Sequence, residues 1–290
     1  MTVVKLGPLA NQIISGPKLV GGGGVVYFID LNGDLYGDLL GPGAYYPNEG
    51  KNPVDRPGLL VFGGPEGWSA ADAGVFPAAS MLTVHVREVA VADFNGDKTP
   101  DLFIADHGYD AAPFPGHVNG LFMSDGNGAW RNASGTLPTI PDFTHSVTVG
   151  DVDRDGDLDI FAGNNLLRDA YFLINDGKGG FSKQTQLLPI NSPASDQDAA
   201  KYTSILSSLL VDLDQDGWLD LVISSPHSDQ ARQALWSNRG SFAAGEFTSL
   251  PRAASLGTAY DVIDVQSTDV NLDGRPDLLT VRSTGPCLYR

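Results

Sequence analysis

Five short segments carry carboxylates at alternate positions, a spacing that can surround a cation. In DVDRDGDLD (151–159), aspartates occupy positions one, three, five, seven and nine, and glycine occupies position six. Carboxylates this close repel one another unless a positive ion lies among them. Ca²⁺ takes six to eight oxygen ligands, and alternate positions of a tight loop can converge on it. The segment therefore predicts a calcium loop, in which position seven contributes its backbone carbonyl.

Four other segments repeat this pattern at intervals of 57 to 63 residues. We number the five segments loop 1 (30–38), loop 2 (93–101), loop 3 (151–159), loop 4 (212–220) and loop 5 (269–277). The predicted ligands at positions one, three, five, seven and nine are, in chain order, Asp30, Asn32, Asp34, Tyr36, Asp38; Asp93, Asn95, Asp97, Thr99, Asp101; Asp151, Asp153, Asp155, Asp157, Asp159; Asp212, Asp214, Asp216, Trp218, Asp220; and Asp269, Asn271, Asp273, Arg275, Asp277.

The donor types favour calcium over other ions. The loops contain no histidine or cysteine, the ligands that most transition metals prefer, and Mg²⁺ tends to keep its waters. One acidic turn alone could be an ordinary solvated turn, but five in fixed register with predicted strands favour ion binding. We expect three to five structural Ca²⁺ ions per chain.

The five loops differ in their predicted affinity. Loops 3 and 4 have the full acidic set, and loop 5 has a neutral asparagine at position three. Loops 1 and 2 also have asparagine there, and their glycines, Gly33 and Gly96, stand at position four. Leu35 and Lys98 occupy position six, where a sharp turn favours glycine. We expect loops 1 and 2 to bind calcium more weakly.

The segments that flank the loops predict short strands. A β-rich stretch precedes each loop, as in 84–92, 145–150, 205–211 and 262–268, and an apolar strand, a third strand and a weaker fourth strand follow. Four short antiparallel strands in each repeat of about 60 residues are typical of a β-propeller blade. The sequence therefore predicts an all-β fold that forms one domain over residues 1–290.

The lengths of the two ends bear on how such a ring closes. Twenty-nine residues precede loop 1 and 13 follow loop 5, whereas 48 to 54 residues separate consecutive loops. We expect a closed ring of five blades in which residues 1–24 supply outer strands of the last blade. The alternative is a part of a ring of seven or eight blades.

The loops and the motifs beside them resemble the FG-GAP or VCBS repeats shared with integrin α-subunits. The resemblance includes VADFNGDKTPDLFIADHG (91–108) and DLLGPGAYYP (38–47), which is similar to the family's DLLVGAP. It extends over all five repeats. It implies a propeller in which each calcium loop joins the innermost strand of a blade to the second strand, and relatives usually have seven or eight blades.

Composition excludes some partners. The formal charge is −17 and no basic patch is present, which argues against nucleic-acid binding. No apolar run is long enough for a membrane helix, and a single cysteine cannot form an internal disulfide. The first residues do not read as a secretory signal. Calcium loops of modest affinity nevertheless favour an extracellular or cell-surface location, and further domains could flank this one.

The long connections between other strands are the predicted recognition surface, since exposed loops on a rigid scaffold commonly bind ligands. The richest is 106–120, which we call the recognition loop. Its predicted ligand-binding residues, with two from a neighbouring connection, are Tyr45, Tyr46, His107, Tyr109, Asp110, Phe114, His117 and Asn119.

These residues favour a recognition or adhesion module for a carbohydrate or a protein partner. One alternative is a polysaccharide lyase or hydrolase, with His107 paired to Asp106 or Asp110. Another is a purely structural repeat domain of a larger protein. In a simpler interpretation of the loop, His107 and Asp110 only form hydrogen bonds that shape it. No catalytic residue is assigned.

Overall fold

The computed structural model describes residues 27–43, 56–70, 76–77, 80–125, 129–165, 169–185, 205–225, 232–237, 248–249, 262–282 and 285–289. In these ranges the chain forms strands and a short 3-10 helix at Ser134–Thr136, and no helix in them is long and apolar enough to cross a membrane. The chain divides into two compact units, Met1–Asp142 and Phe143–Arg290. Residues 1–24, Tyr45 and Tyr46 lie outside the described ranges.

The described residues of the first unit form two four-stranded antiparallel sheets and one short strand pair. The sheet orders are β1-β2-β4-β5 and β10-β9-β8-β7, and β3 pairs with β6. The strands are β1 Tyr27–Ile29, β2 Asp38–Gly41, β3 Arg56–Pro57, β4 Leu59–Phe62, β5 Ser69–Ala70, β6 Leu82–Thr83, β7 Val86–Ala92, β8 Asp101–Asp106, β9 Gly120–Ser124 and β10 Trp130–Asn132.

The second unit is also built from antiparallel sheets. Its described strands form the sheets β11-β12-β13-β14, β15-β16-β17-β18 and β19-β20-β21, all antiparallel. They are β11 Thr144–Gly150, β12 Asp159–Asn164, β13 Tyr171–Asn175, β14 Phe181–Gln184, β15 Ser207–Val211, β16 Asp220–Ser225, β17 Arg232–Ser237, β18 Thr248–Ser249, β19 Val262–Thr268, β20 Asp277–Arg282 and β21 Gly285–Tyr289.

Each acidic loop joins the first and second strands of one sheet, so the predicted order of strand, loop and strand is confirmed in all five repeats. The predicted strand over 262–268 has those bounds in the structure, and the stretch predicted over 84–92 begins two residues later, at Val86. The fold is therefore all-β and built from antiparallel sheets. Closure into a five-bladed ring stays a prediction.

The apolar strands give each unit its own core. In the first unit Leu40, Leu60, Phe76, Leu102 and Phe122 belong to one buried cluster. In the second unit Phe161, Phe172, Ile205 and Leu221 do the same. Position two of loops 1, 2 and 3 also points inward, since Leu31, Phe94 and Val152 are at most 2% exposed. Burial of this side chain anchors the start of each of these loops beside the sheet.

The turn in each loop requires two left-handed residues, at positions four and six. In loop 2 Gly96 and Lys98 have φ of 76° and 68°, and in loop 3 Arg154 and Gly156 have φ of 63° and 96°. The other three loops show the same pair of positive angles. The glycines of loops 1 and 2 therefore occupy one of two equivalent positions. The different position of the glycine therefore does not change the backbone conformation of loops 1 and 2. It gives no reason for these loops to bind calcium more weakly.

A glycine at the second left-handed position should stabilise the chain. Left-handed backbone costs a residue with a side chain about 1–2 kcal/mol, partly offset by the greater entropy of unfolded glycine. We expect Lys98→Gly to raise the free energy of unfolding by about 0.5–1 kcal/mol in urea denaturation. Lys178→Gly is the matched control, because Lys178 is an exposed turn residue without a positive φ, and it should lower stability. Equal losses in both variants would contradict the assignment.

Candidate metal centre and recognition loop

The same three hydrogen bonds, each from a backbone N–H to a side-chain oxygen, are present in every acidic loop. The carboxylate of position one accepts the N–H of position six at 2.8–3.1 Å. The side-chain oxygen of position three accepts the N–H of position five at 2.9–3.3 Å. Position five accepts the N–H of position seven at 2.8–2.9 Å. These bonds hold the side-chain oxygens at positions one, three and five against the backbone of each loop.

The aspartate at position nine ties each loop to its sheet. Its Oδ2 accepts the N–H of position two at 2.7–3.0 Å in all five loops. In loops 1, 2 and 3 its Oδ1 accepts the N–H of Gly63, Ser124 or Asn175, at the end of the third strand, at 2.9–3.0 Å. All five of these aspartates are at most 3% exposed. The predicted last ligand is therefore also a buried structural hub.

The structure brings predicted ligands of loops 3 and 4 together. Oxygens of Asp151, Asp153 and Asp159 lie within 4.8 Å of one another, as do those of Asp212, Asp214 and Asp220. Asp151 Oδ1 is buried and accepts no hydrogen bond from the described residues. A buried, unsatisfied carboxylate oxygen in an all-oxygen cluster fits a hard cation such as Ca²⁺. These two clusters could hold a metal ion.

Loops 1 and 5 relieve their charge in a different way. The Nδ2 of Asn32 donates to Asp34 Oδ2 at 3.1 Å, and the Nδ2 of Asn271 donates to Asp273 Oδ2 at 3.0 Å. An asparagine at position three thus replaces repulsion between carboxylates with a hydrogen bond. Loops 3 and 4, which have aspartate there, depend more strongly on an added positive charge.

Three aspartates of loops 2 and 3 have raised pKa values. Burial, followed by repulsion from Asp153 and Asp155, raises the pKa of Asp159 to about 7, although two backbone N–H groups oppose the shift. Burial and Asp155 also raise the pKa of Asp153. In loop 2, burial raises the pKa of Asp101 to about 6. Full ionisation of such a loop at neutral pH requires a compensating charge.

Position four connects neighbouring loops within the second unit. The guanidinium of Arg154 in loop 3 lies 4.8 Å from the ring centre of Trp218 in loop 4, a cation–π contact. The Nε2 of Gln215 in loop 4 donates to the carbonyl of Gly274 in loop 5 at 2.8 Å. Sequence reasoning gave position four no role and Trp218 only a carbonyl role. Only spatial proximity of the loops reveals these contacts.

The recognition loop divides into a buried base and an exposed tip. Asn119 is 6% exposed and its Oδ1 accepts the N–H of Asp106 at 3.1 Å. His117 Nδ1 lies 3.1 Å from Asp106 Oδ2, so the carboxylate suggested as a partner of His107 pairs with His117 instead. Phe114 is 37% exposed, Tyr109 is half-buried, and Asp110 is exposed and pairs with Arg87 at 3.2 Å. Among the described residues of the predicted ligand set, these three and the partly buried His117 are accessible to solvent.

His107 lies below this surface. It is fully buried and its ring packs against His85, with ring centres 4.2 Å apart. Burial lowers the pKa of His107 to about 4 and that of His85 to about 3, so both imidazoles are neutral at pH 7. A fully buried ring is poorly placed to exchange protons with a polymer at the surface. Sequence reasoning did not include His85, which a comparison of the two ends of the β7–β8 hairpin would have found.

The repeats match a known family. Residues 93–162 and 212–280 match the FG-GAP-like repeat. The chain carries FG-GAP-like repeats. The two matches contain loops 2 to 5, and loop 1 has the same hydrogen-bond pattern. The predicted family is confirmed.

Other comparisons of this FG-GAP-like chain concern solved structures. It is similar to the Vibrio cholerae (V. cholerae) biofilm matrix protein Bap1 (14% identity, TM-score 0.43), over 89% of this chain and 34% of that one. It is similar to an exo-β-1,3-galactanase from Phanerochaete chrysosporium (9% identity, TM-score 0.44), over 89% of this chain and 56% of that one. It is also similar to Trypanosoma rangeli sialidase (13% identity, TM-score 0.40), over 87% of this chain and 42% of that one. The chain thus spans less than two thirds of each of these structures. No curated protein matches it.

Removing the carboxylate at position nine should destabilise an FG-GAP-like loop more than any other loop substitution. Asp159→Ala leaves the N–H groups of Val152 and Asn175 without their acceptor, at a cost of roughly 2–5 kcal/mol. Asp159→Asn keeps one oxygen and should lose less. Urea denaturation in excess chelator measures both variants without any contribution from a metal. A loss below about 1 kcal/mol for Asp159→Ala would contradict the role of hub.

Asp159 should contribute stability to the calcium-free chain that is lost as pH rises from about 4 to about 7. The folded-state pKa of Asp159 is raised above that of an unfolded aspartate, so the folded chain binds more protons in this window. The stability contributed by the proton is therefore present at low pH and lost as pH rises through the folded pKa. Thermal unfolding at stepped pH in chelator tests this, with Asp159→Asn as the control that lacks the titration. Buried His85 and His107, whose pKa values are lowered, act in the opposite direction in both proteins, so the readout is the difference between the two profiles. Parallel profiles for the wild type and Asp159→Asn would contradict the raised pKa.

Proposed function

We propose that this chain is a calcium-stabilised β-propeller that serves as a recognition or adhesion module. The observation that carries the calcium assignment is the convergence of three carboxylates in loop 3 and three in loop 4. Their donors are oxygens only, and the unsatisfied Asp151 Oδ1 is available to an ion. Bound Ca²⁺ would supply the positive charge that offsets repulsion among these carboxylates.

The residues of each loop have distinct tasks in this proposal. Side chains at positions one, three and five and the carbonyl of position seven would face the ion. The position-nine carboxylate would contribute its remaining lone pairs while it holds the N–H of position two. Because that carboxylate is also bonded to the third strand in loops 1 to 3, the ion would reinforce the sheet as well as the loop. Loops 1, 2 and 5, with asparagine at position three, would bind more weakly.

We further propose that the sheets form the five blades of a closed ring. Among the described residues the fifth sheet has three strands, whereas each of the other loop-bearing sheets has four. A strand from residues 1–24 would complete it and leave no exposed sheet edge. The alternative remains a part of a ring of seven or eight blades in a longer protein.

The recognition loop is the proposed ligand surface. It follows β8, whereas loop 2 precedes β8, so the two loops emerge from opposite ends of the same strand. Phe114, with its partly exposed ring, lies in the same loop as Tyr109 and Asp110, so the loop offers an apolar face as well as polar groups. Such a surface suits a carbohydrate or a protein loop. Extracellular calcium would keep loops of modest affinity filled, which favours a location outside the cell.

Calcium should raise the melting temperature of the chain. A site at a hundred times its Kd adds about 2.7 kcal/mol. We expect Asp153→Asn and Asp214→Asn each to remove one bound ion and part of the calcium-dependent rise. Asp157→Asn is the matched control in loop 3, because position seven is proposed to bind through its carbonyl. Calorimetry and a bound-metal count distinguish the variants. An unchanged melting temperature in chelator would overturn the calcium proposal.

Ligand binding should depend on the tip of the recognition loop. We expect the calcium-loaded chain to bind a subset of a glycan array, or a cell-surface protein in a pull-down, and Phe114→Ala to weaken that binding about tenfold or more. Phe28→Ala is the control, since Phe28 is another exposed aromatic residue of the same unit, 49% exposed. Equal binding by the wild type and Phe114→Ala would move the ligand site away from this loop.

A further inference from the structure

A third cluster of side chains that could ligate a metal lies at the end of the β7–β8 hairpin opposite loop 2. His85 directly precedes β7 and His107 directly follows β8. Val86 pairs with Asp106 at the end of the ladder, and the N–H of His107 donates to the carbonyl of His85 at 3.2 Å. The two histidines therefore face each other across the hairpin, with their rings in contact.

Asp110 brings a third donor to this pair. The chain turns back after β8, and the ligand atoms of His85, His107 and Asp110 lie within 4.8 Å of one another. Zinc bonds of about 2.0–2.1 Å in a tetrahedral site place ligand atoms roughly 3.3 Å apart. Small side-chain rotations would close the remaining distance. The backbone already supplies most of the geometry that a metal site needs.

The types of donor point to a class of ion. Imidazole nitrogen suits zinc, iron, nickel and copper, whereas calcium and magnesium select oxygen. Two imidazoles and one carboxylate leave at least one coordination position for water.

We propose that His85, His107 and Asp110 form a binding site for a divalent transition-metal ion, with Zn²⁺ as the expected occupant. The site is distinct from the five acidic loops in both position and chemistry. Its ion would link the base of the recognition loop to the β7–β8 hairpin, and so hold Asp110 and its neighbour Tyr109 in place.

The surrounding residues fit this assignment. Asp106 Oδ1 accepts the N–H of His85 at 2.8 Å and that of Gly108 at 2.9 Å, which fixes the backbone on both sides of the pair. Arg87 Nη2 donates to Asp110 Oδ2 at 3.2 Å, and a carboxylate can hold this partner on one oxygen while the other binds a metal. The side chain of Asp110 is 41% exposed, which gives an ion a path of entry.

The loop that carries Asp110 has a tightly packed backbone. Gly108 has φ of 76°, and a Cβ at this position would lie 2.4 Å from the carbonyl carbon of Gly116. His117 and Asp142 exchange two backbone hydrogen bonds of 2.8 Å just beyond. The base of the loop is thus closed on itself, and Asp110 is presented from a defined backbone. An ion would find its ligands already near their bound positions.

Titration of the full chain with Co²⁺ in excess Ca²⁺ tests the site, since calcium fills the acidic loops. We expect one Co²⁺ per chain, with the visible absorption of nitrogen-coordinated cobalt, and its displacement by Zn²⁺. His85→Gln and Asp110→Asn should each lower the affinity by at least about tenfold. His145→Gln, in the second unit, is the matched control and should bind as the wild type does.

Two results would overturn the assignment. One is the absence of nitrogen-coordinated cobalt in excess Ca²⁺, and the other is equal binding by Asp110→Asn and the control. If His85→Gln does not fold, ¹⁵N NMR of the wild-type histidine rings decides the question. Zn²⁺ should shift the ring nitrogens of His85 and His107 and leave those of His145 unchanged. Unchanged resonances of His85 and His107 would reject the site.

Discussion

The buried carboxylate at position nine is the interaction on which each repeat depends. One oxygen fixes the start of the acidic loop through the N–H of position two, and in loops 1 to 3 the other fixes the end of the third strand. Burying an ionised carboxylate is costly unless its oxygens are hydrogen-bonded. The chain meets this requirement with backbone donors, so the loop cannot move without leaving the carboxylate unsatisfied. The position of every other predicted ligand follows from that attachment.

The aspartate at position nine holds the backbone in place and is also a predicted metal ligand. In the apo chain Asp159 is held by backbone N–H groups, and burial, with a smaller contribution from its acidic neighbours, raises its pKa to about 7. An ion that removes this repulsion would act on the loop and on the third strand together. In the proposed calcium-bound form, stability and ion binding would thus be coupled through a single side chain. The asparagines of loops 1 and 5 loosen that coupling, since an amide already relieves part of the charge.

Much of the fold could be read from the sequence because its signals are local and repeated. Alternate aspartates, the apolar strand after each loop and the near-constant spacing all appear within about twenty residues of one another, and the structure has the strands where these signals place them. The two left-handed positions of each loop were not evident, because the sequence marks only one of them with glycine. The contact between Arg154 and Trp218 was also hidden, since those residues are neighbours in space but far apart along the chain.

The burial of the histidine pair is a second feature that the sequence did not reveal. Sequence reasoning treated His107 as a surface residue because it lies in a long polar connection. In the structure the register of β7 and β8 places it opposite His85 and buries it. Pairing across a hairpin depends on register, which a single strand pattern does not specify. Whether a residue in such a loop is exposed or buried is therefore determined by the fold and not by the local sequence pattern.

The two left-handed positions constrain how these repeats can diverge. A loop can carry glycine at position four, as loops 1 and 2 do, or at position six, as loops 3 to 5 do, with the same backbone. A change from one pattern to the other by single substitutions passes through a loop with two glycines or a loop with none. Only the first intermediate avoids strain at both positions. If the repeats descend from a common repeat, a loop with two glycines is therefore the favoured intermediate between the two forms.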